Sequence, residues 1–369
     1  MKIAYIITRS DEIGGAHIHV HDLAAWLWEK GHEARVFVGG EGAFTEKLAH
    51  SGIPFTSLKH LKRPISPVND ILGVIEIAKR VKEFQPDIIS IHSAKAGILA
   101  RLACAATKRP CVFTAHGWSF TNGVAKLSSL FFRILEKYLA PLSKCIITVC
   151  ESDRELALNN GIGPAQKITT IHNGMPWLPT PEKNSERGCL EDDTKLVMVA
   201  RFEKQKDQRT LLEAVALLKG LNWNLDFVGD GPLQNEMQEL SETLGISDRV
   251  HFQGRSQDVP QFLAKADIFA LTTNWEGFPR SIIEAMRACL PVIATDVAGV
   301  SESVKHGETG YLIPPKDIEA CAEYLRILIE SAKHRRELGT KGRKYFEQHF
   351  TFDAMAVSTL ALYQKLITE

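Results

Sequence analysis

Short apolar runs alternate with longer segments of helical periodicity from one end of the chain to the other, and this alternation restricts the fold more than any other feature. In the first half the apolar runs fall at 2–8, 33–38, 87–91, 111–115, 145–149 and 168–171, with amphipathic segments such as 16–30 and 68–84 between them. A repeated strand–helix order predicts a parallel sheet covered by helices on both faces. The order breaks over 174–194, where Pro176, Pro179 and Pro181 precede the polar stretch Glu182–Arg187. Proline fixes φ and removes a donor, so this segment reads as an interdomain linker. The alternation then resumes with runs at 195–200, 223–229, 250–252, 267–272, 292–295 and 310–313. The expectation is an α/β chain of two doubly wound, Rossmann-like domains: 1–178, a linker over 179–194, and 195–350. Residues 351–369, opening on Thr351 as a helix N-cap, are expected to form a terminal helix that packs back toward the N-terminal domain.

A chain of 369 residues, 44% hydrophobic, is long enough to bury two cores. Lys+Arg and Asp+Glu balance at 44 each, which gives no footing to a nucleic-acid partner. Residues 1–180 carry 21 basic against 15 acidic side chains, and the remainder 23 against 29. A basic first half suits an anionic substrate or a lipid headgroup surface, or else reflects two domains of complementary charge. The seven cysteines (104, 111, 145, 150, 189, 289 and 321) show no C-x-x-C spacing and several lie in apolar runs. They read as buried thiols of a reducing compartment. The opening run Met1–Thr8 is too short for a signal peptide, and no stretch is long and apolar enough to span a bilayer. The expected location is cytoplasmic, with any membrane contact peripheral.

In open α/β sheets ligands bind beyond the carboxyl ends of the strands, so the loops that follow strands are the places to look for chemistry. After the run 267–272 comes Trp275-Glu276-Gly277-Phe278-Pro279-Arg280-Ser281-Ile282-Ile283-Glu284. Proline suits a first helical turn, and the amides of that turn make a seat for a diphosphate. Glu276 in the loop is placed to accept from sugar hydroxyls, and Glu284 on the helix to hold the two hydroxyls of a ribose. The bland alternative is a capping Glu and a solvated helical Glu. After the run 195–200, Arg201 and Lys206 set a guanidinium fork and an ammonium five positions apart, a match to a departing diphosphate unless they are ordinary surface cations. The chain has no Asp-x-Asp pair, which argues against a metal-bridged donor; no metal and no cofactor are expected. Gly14-Gly15 after the first run lets backbone approach a ligand at a helix start, but it is not a dinucleotide fingerprint. His116, following Cys111–Ala115, sits where a strand ends. It is either a structural histidine or one that bonds a sugar hydroxyl or moves a proton. His17 and His21 would share a helix face, as zinc ligands can; acceptor or phosphate contact is the preferred reading.

Taken together, Arg201 with Lys206, the Glu276-to-Glu284 spacing within Glu-Gly-Phe-Pro, Gly229-Asp230-Gly231-Pro232 and Gly14-Gly15 resemble the retaining glycosyltransferases of family 4. The likeness runs over essentially the whole chain and is more specific in the second half. It implies the GT-B architecture, two Rossmann-like domains facing each other across a cleft. It also implies that Glu276 contacts the donor sugar, Glu284 the ribose, and Arg201 and Lys206 the diphosphate. Gly14 and Gly15 would approach that diphosphate, and His116 would lie beside the sugar. Gly277, Phe278 and Pro279 belong to the same donor-binding segment, and Asn173-Gly174 is structural. Many members have Lys-Gly where this chain has Lys206-Asp207, a change of loop and not of cation.

Retention through a covalent glycosyl-enzyme requires a carboxylate opposite the leaving group, and no residue stands out for it. The resemblance implies same-face departure and attack instead, with the protein supplying position and charge. The expected activity is transfer of a hexose or N-acetylhexosamine from a nucleoside diphosphate sugar, UDP-linked, to a glycan or lipid-linked acceptor of polysaccharide or glycoconjugate synthesis. A sugar-nucleotide epimerase of the same shape and a non-catalytic nucleotide-sugar binder are the alternatives. Leu58–Arg63 and 124–144 mix cations with apolar residues and are candidates for contact with an anionic membrane, or are packed helix and solvated lysines.

Overall fold

The computed structural model describes residues 1–121, 125–179, 193–256 and 258–368. The linker expected over 179–194 falls almost wholly on 180–192, outside the described residues, as does Cys189. The chain divides into two compact units, Met1–Asn173 with Met355–Glu369, and Gly174–Ala354.

The first unit is built on seven strands: β1 (Lys2–Ile7), β2 (Glu33–Gly39), β3 (Phe55–Leu58), β4 (Ile88–His92), β5 (Cys111–Ala115), β6 (Cys145–Thr148) and β7 (Ile168–Thr170). They lie in the order β3-β2-β1-β4-β5-β6-β7, every neighbouring pair parallel. The near-continuous apolar character of β1, β4 and β5 follows from helices on both faces: nearly every side chain of these strands is buried. The two amphipathic segments form helices at Gly15–Glu29 and Pro67–Phe84, the second with Pro67 in its first turn. The edge strand β3 was not among the expected strands. Its sequence, Phe-Thr-Ser-Leu, has only one fully buried side chain, so it carries no apolar run to detect.

The second unit holds β8 (Thr194–Val199), β9 (Trp223–Val228), β10 (Val250–Gly254), β11 (Ile268–Leu271), β12 (Val292–Thr295) and β13 (Gly310–Ile313), in the order β10-β9-β8-β11-β12-β13. These pairs are also parallel. Gly174 belongs here for a steric reason: a Cβ would stand 2.4 Å from the Thr351 carbonyl oxygen, where Met175 and Thr351 form a parallel bridge. The terminal helix runs Phe352–Thr368, and from Met355 onward it belongs to the first unit. Within that unit the Tyr363 hydroxyl donates to Ser90 Oγ on β4 at 2.7 Å. Among the described residues no helix is long and apolar enough to cross a membrane.

In each sheet the chain order reverses beside the first strand, between β1 and β4 and again between β8 and β11. Such switch points open a crevice at the carboxyl ends of the strands.

Candidate active site

At the β8/β11 switch point two loops are sewn together. The loop after β8 carries Arg201 to Asp207, and the loop after β11 carries Thr272 to Pro279. Asp207 N donates to the Thr272 carbonyl at 3.1 Å, Asn274 N to the Gln205 carbonyl at 2.8 Å, and Thr273 Oγ1 to the same Gln205 carbonyl at 2.9 Å. Asp207 caps the helix Gln208–Ala216, its carboxylate accepting from the amide and hydroxyl of Thr210. That cap gives a local reason for Asp207 after the lysine, since a capping carboxylate satisfies amides a glycine would leave to water. Gly229 and Gly231 let the β9 loop press on the Arg201 loop. A Cβ would stand 2.0 Å from the Ala200 oxygen at the first and 2.5 Å from the Phe202 oxygen at the second. Both have positive φ.

Inside this frame Lys206 Nζ is bonded to Glu276 Oε1. Thr273 Oγ1 donates to the same oxygen at 3.0 Å, and Gln205 Nε2 to Oε2 at 3.3 Å. Glu276 is only 8% exposed, so its charge is balanced by the ammonium and two neutral donors. Arg201 is more open and its fork meets Glu203 at 2.9 Å. Pro279 caps the helix Arg280–Arg287, on which Glu284 stands. Burial pushes the Glu284 carboxyl up, opposed by the charges of Arg280 and Arg287. Phe278 is packed against Phe350, ring centroids 5.2 Å apart, so the Phe278 ring is core and only its backbone is at hand for a ligand. Arg201, Lys206, Glu276, Gly277 and Glu284 thus lie on two stitched loops and the helix that one of them opens. Gln205 and Thr273, which hold the carboxylate, were missed. Their only sequence signal is a polar side chain near an expected site residue, Gln205 next to Lys206 and Thr273 three positions before Glu276.

At the β1/β4 switch point of the first unit, Gly14 is the N-cap of the helix that begins at Gly15. Gly14 N donates to His17 Nδ1 at 3.2 Å, and His17 Nε2 meets the Arg9 carbonyl at 3.0 Å. His21 is held by Asp22 at 2.9 Å and Ser51 at 2.8 Å. The two histidines expected to share a metal-capable face are therefore committed to separate partners. A different trio converges: the ring nitrogens of His19, His92 and His116 lie within 4.8 Å of one another. His92 ends β4, His116 follows β5, and His19 lies on the helix after β1. His92 Nδ1 and His116 Nε2 are 2.9 Å apart, and His92 Nε2 is 2.9 Å from Ser90 Oγ. Burial, with His116 and His17 nearby, holds His92 well below the usual histidine range, so it is neutral. His19 and His92 were not singled out from the sequence; the three rings come from separate elements and meet only in the sheet.

The same unit shows two apolar faces. Along 65–75, Ile65, Val68, Ile71 and Ile75 are 59–75% exposed beside exposed Lys62 and Arg63. On the helix Lys126–Leu139, Leu127, Leu130, Phe131, Ile134 and Tyr138 face outward. Its inner side is anchored by the Arg101 fork on Glu136 at 2.8 and 2.9 Å. Of Leu58–Arg63, by contrast, Leu58 and Leu61 are core residues.

The chain is similar to known proteins over most of its length. Residues 180–345 match the family described as Glycosyl transferases group 1, and residues 13–176 match Glycosyltransferase Family 4. EpsD of Bacillus subtilis (strain 168), provisionally named a glycosyltransferase, is 32% identical over 348 residues, 90% of each chain. The Escherichia coli UDP-Gal:alpha-D-GlcNAc-diphosphoundecaprenol alpha-1,3-galactosyltransferase is 30% identical over 273 residues, 70% of each. Among solved structures, Anabaena Alr3699/HepE in complex with UDP and glucose superposes with a TM-score of 0.83 at 23% identity, covering 99% of both chains.

Proposed function

The chain belongs to the group 1, family 4 glycosyltransferases and has the GT-B fold, and from that premise we propose that it moves a hexose or N-acetylhexosamine from a UDP-sugar with retention. The observation that carries the reading is the Lys206–Glu276 pair at the second unit's switch point, held by Gln205 and Thr273. A bare carboxylate there would repel a diphosphate. Neutralised by Lys206, it accepts from the donor sugar's hydroxyls while the ammonium and the Arg201 fork meet the phosphates. Glu284 takes the ribose, and the first-turn amides of the Arg280–Arg287 helix face the diphosphate. The two cations stabilise the departing diphosphate without a metal ion. On the family resemblance we assign His116 to the donor sugar and the Gly14-Gly15 turn to the diphosphate.

The acceptor is a glycan or lipid-linked glycan of polysaccharide synthesis; the name of the E. coli relative carries a lipid-linked sugar, GlcNAc-diphosphoundecaprenol. Peripheral contact with an anionic membrane is supported by the exposed apolar residues of 65–75 and Lys126–Leu139 beside Lys62 and Arg63. The reading is tested by calorimetric titration with a panel of nucleotide sugars, followed by transfer assays with and without EDTA. Binding of a UDP-sugar and turnover that survives chelation are expected. Failure of every UDP-sugar to bind, or activity restored only by added Mg²⁺ or Mn²⁺, would contradict it.

A further inference from the structure

A chain of hydrogen bonds runs through the core of the first unit from the terminal helix to the end of β5. The Tyr363 hydroxyl donates to Ser90 Oγ at 2.7 Å; Ser90 Oγ meets His92 Nε2 at 2.9 Å; His92 Nδ1 meets His116 Nε2 at 2.9 Å. Tyr363, Ser90 and His92 are all essentially unexposed.

The direction of this chain follows from counting protons. Ser90 has one, and its hydroxyl lies between Tyr363, which donates to it, and His92 Nε2. With Tyr363 donating, the serine proton goes to His92 Nε2, because a buried hydroxyl left without an acceptor costs about 1–3 kcal/mol. A neutral imidazole carries one N–H and one lone pair. His92 has used its lone pair at Nε2, so its proton is on Nδ1 and is donated to His116 Nε2. The neutral His116 ring must then carry its own proton on Nδ1.

We propose that Tyr363, Ser90 and His92 are positioning residues that lock His116 in the Nδ1–H tautomer, so that it acts in transfer as a hydrogen-bond donor and not as a base. The part about transfer rests on the proposed function, which places His116 beside the donor sugar. The tautomer itself rests only on the chain of contacts. The other rings against His92 fit this arrangement. Tyr5 on β1 lies tilted with its centroid 5.7 Å from that of His92, and His19 lies tilted at 5.4 Å from His92. The Tyr5 hydroxyl, beside that of Tyr363, can only donate to it because the Tyr363 proton goes to Ser90. The same count bears on metal binding by the trio, since a ligating nitrogen needs a lone pair and the His92 lone pair faces Ser90.

The test uses the full chain labelled with ¹⁵N-histidine, with long-range ¹H–¹⁵N correlations read at neutral pH. His92→Gln and His116→Gln assign the signals. In the wild type, His116 is expected as a single Nδ1–H form and His92 likewise. In Ser90→Ala, His92 loses the donor that fixes it, and His116 should become a mixture of tautomers. With that change kcat should fall about tenfold while donor KM stays within about twofold, one hydrogen bond's worth of selection. Ser90→Thr, which keeps the hydroxyl, should restore both; Tyr363→Phe should give the same loss in weaker form. A wild-type His116 protonated on Nε2 overturns the proposal, whatever the variants do. So does an unchanged His116 tautomer in folded Ser90→Ala, or a stoichiometric metal ion on the three rings. If the wild type transfers no sugar at all, the function fails and the spectra still decide the chain.

Discussion

Lys206 and Glu276 face each other across two loops, and each is the other's only full counter-charge at the β8/β11 switch point among the described residues. Their side chains are 15% and 7% exposed, so solvent replaces little of what either loses when the other is removed. Lys206→Met should therefore destabilise the protein by about 3 kcal/mol, and Glu276→Gln by a similar amount, since each leaves a buried charge unpaired. The double variant should lose less than the sum of the two. Denaturant unfolding checks this, and additive losses would mean the pair is not coupled.

Glu284 should matter to donor binding more than to turnover. Glu284→Ala should raise donor KM about tenfold or more with a small change in kcat, the mark of an interaction present in ground and transition states alike. Burial raises the Glu284 carboxyl, so it protonates at higher pH than an ordinary glutamate. Donor affinity should weaken as pH falls toward that raised value, and the slope should vanish in Glu284→Ala. Calorimetry across pH reads both effects; unchanged donor affinity in the variant removes the ribose assignment.

His92 sets a pH dependence of stability. Its folded pKa lies well below 6.5, so above 6.5 it is neutral in both states and the stability is fully present. Below 6.5 the unfolded chain takes up a proton that the folded one refuses, and stability falls as pH falls, at up to about 1.4 kcal/mol per pH unit. His17 and His32, also depressed by burial, act in the same direction. Unfolding measured from pH 7.5 down to about 5 should show the loss, shallower in His92→Gln. An equal slope in the two proteins would place the effect elsewhere.

Peripheral membrane contact, if made through the first unit, should respond to charge and to apolar area separately. Lys59→Glu with Lys62→Glu and Arg63→Glu should release the protein from anionic liposomes without unfolding it, because all three side chains are exposed. Leu130→Ser with Phe131→Ser should weaken binding to the same vesicles at high salt, where the charge contribution is screened. Co-sedimentation measures both, and absent binding by the wild type removes the idea.

Much of this was legible because apolar runs mark buried parallel strands, and loops after strands hold the chemistry. Arg201, Lys206 and Glu276 were read as loop residues after strands and Glu284 as helical, and the structure puts them there. What could not be read is contact between elements far apart in sequence. Lys206 and Glu276 were assigned to different parts of one ligand, and only the stitched loops show them bonded to each other. The expected run 87–91 stopped one residue short of His92, and the link of that ring to His116 exists only through the β4–β5 register. Strand β3 escaped because an edge strand with half-buried Thr and Ser has no apolar run.

The central claim is that Arg201 and Lys206 act on the departing diphosphate, and leaving-group dependence tests it most directly. Arg201 is the cleaner probe, since its side chain is 55% exposed and that of its partner Glu203 is 37% exposed. Negative charge on the departing phosphate grows as the glycosidic bond breaks, so a cation there is worth more in the transition state than in the bound donor. Single-turnover rates of Arg201→Ala with a UDP-sugar should fall roughly 10²–10³-fold, the scale of one preorganised electrostatic group. With an activated glycosyl donor whose leaving group needs no such help, most of that loss should disappear. An equal loss with both donors would make the cations a binding device only and contradict the mechanism.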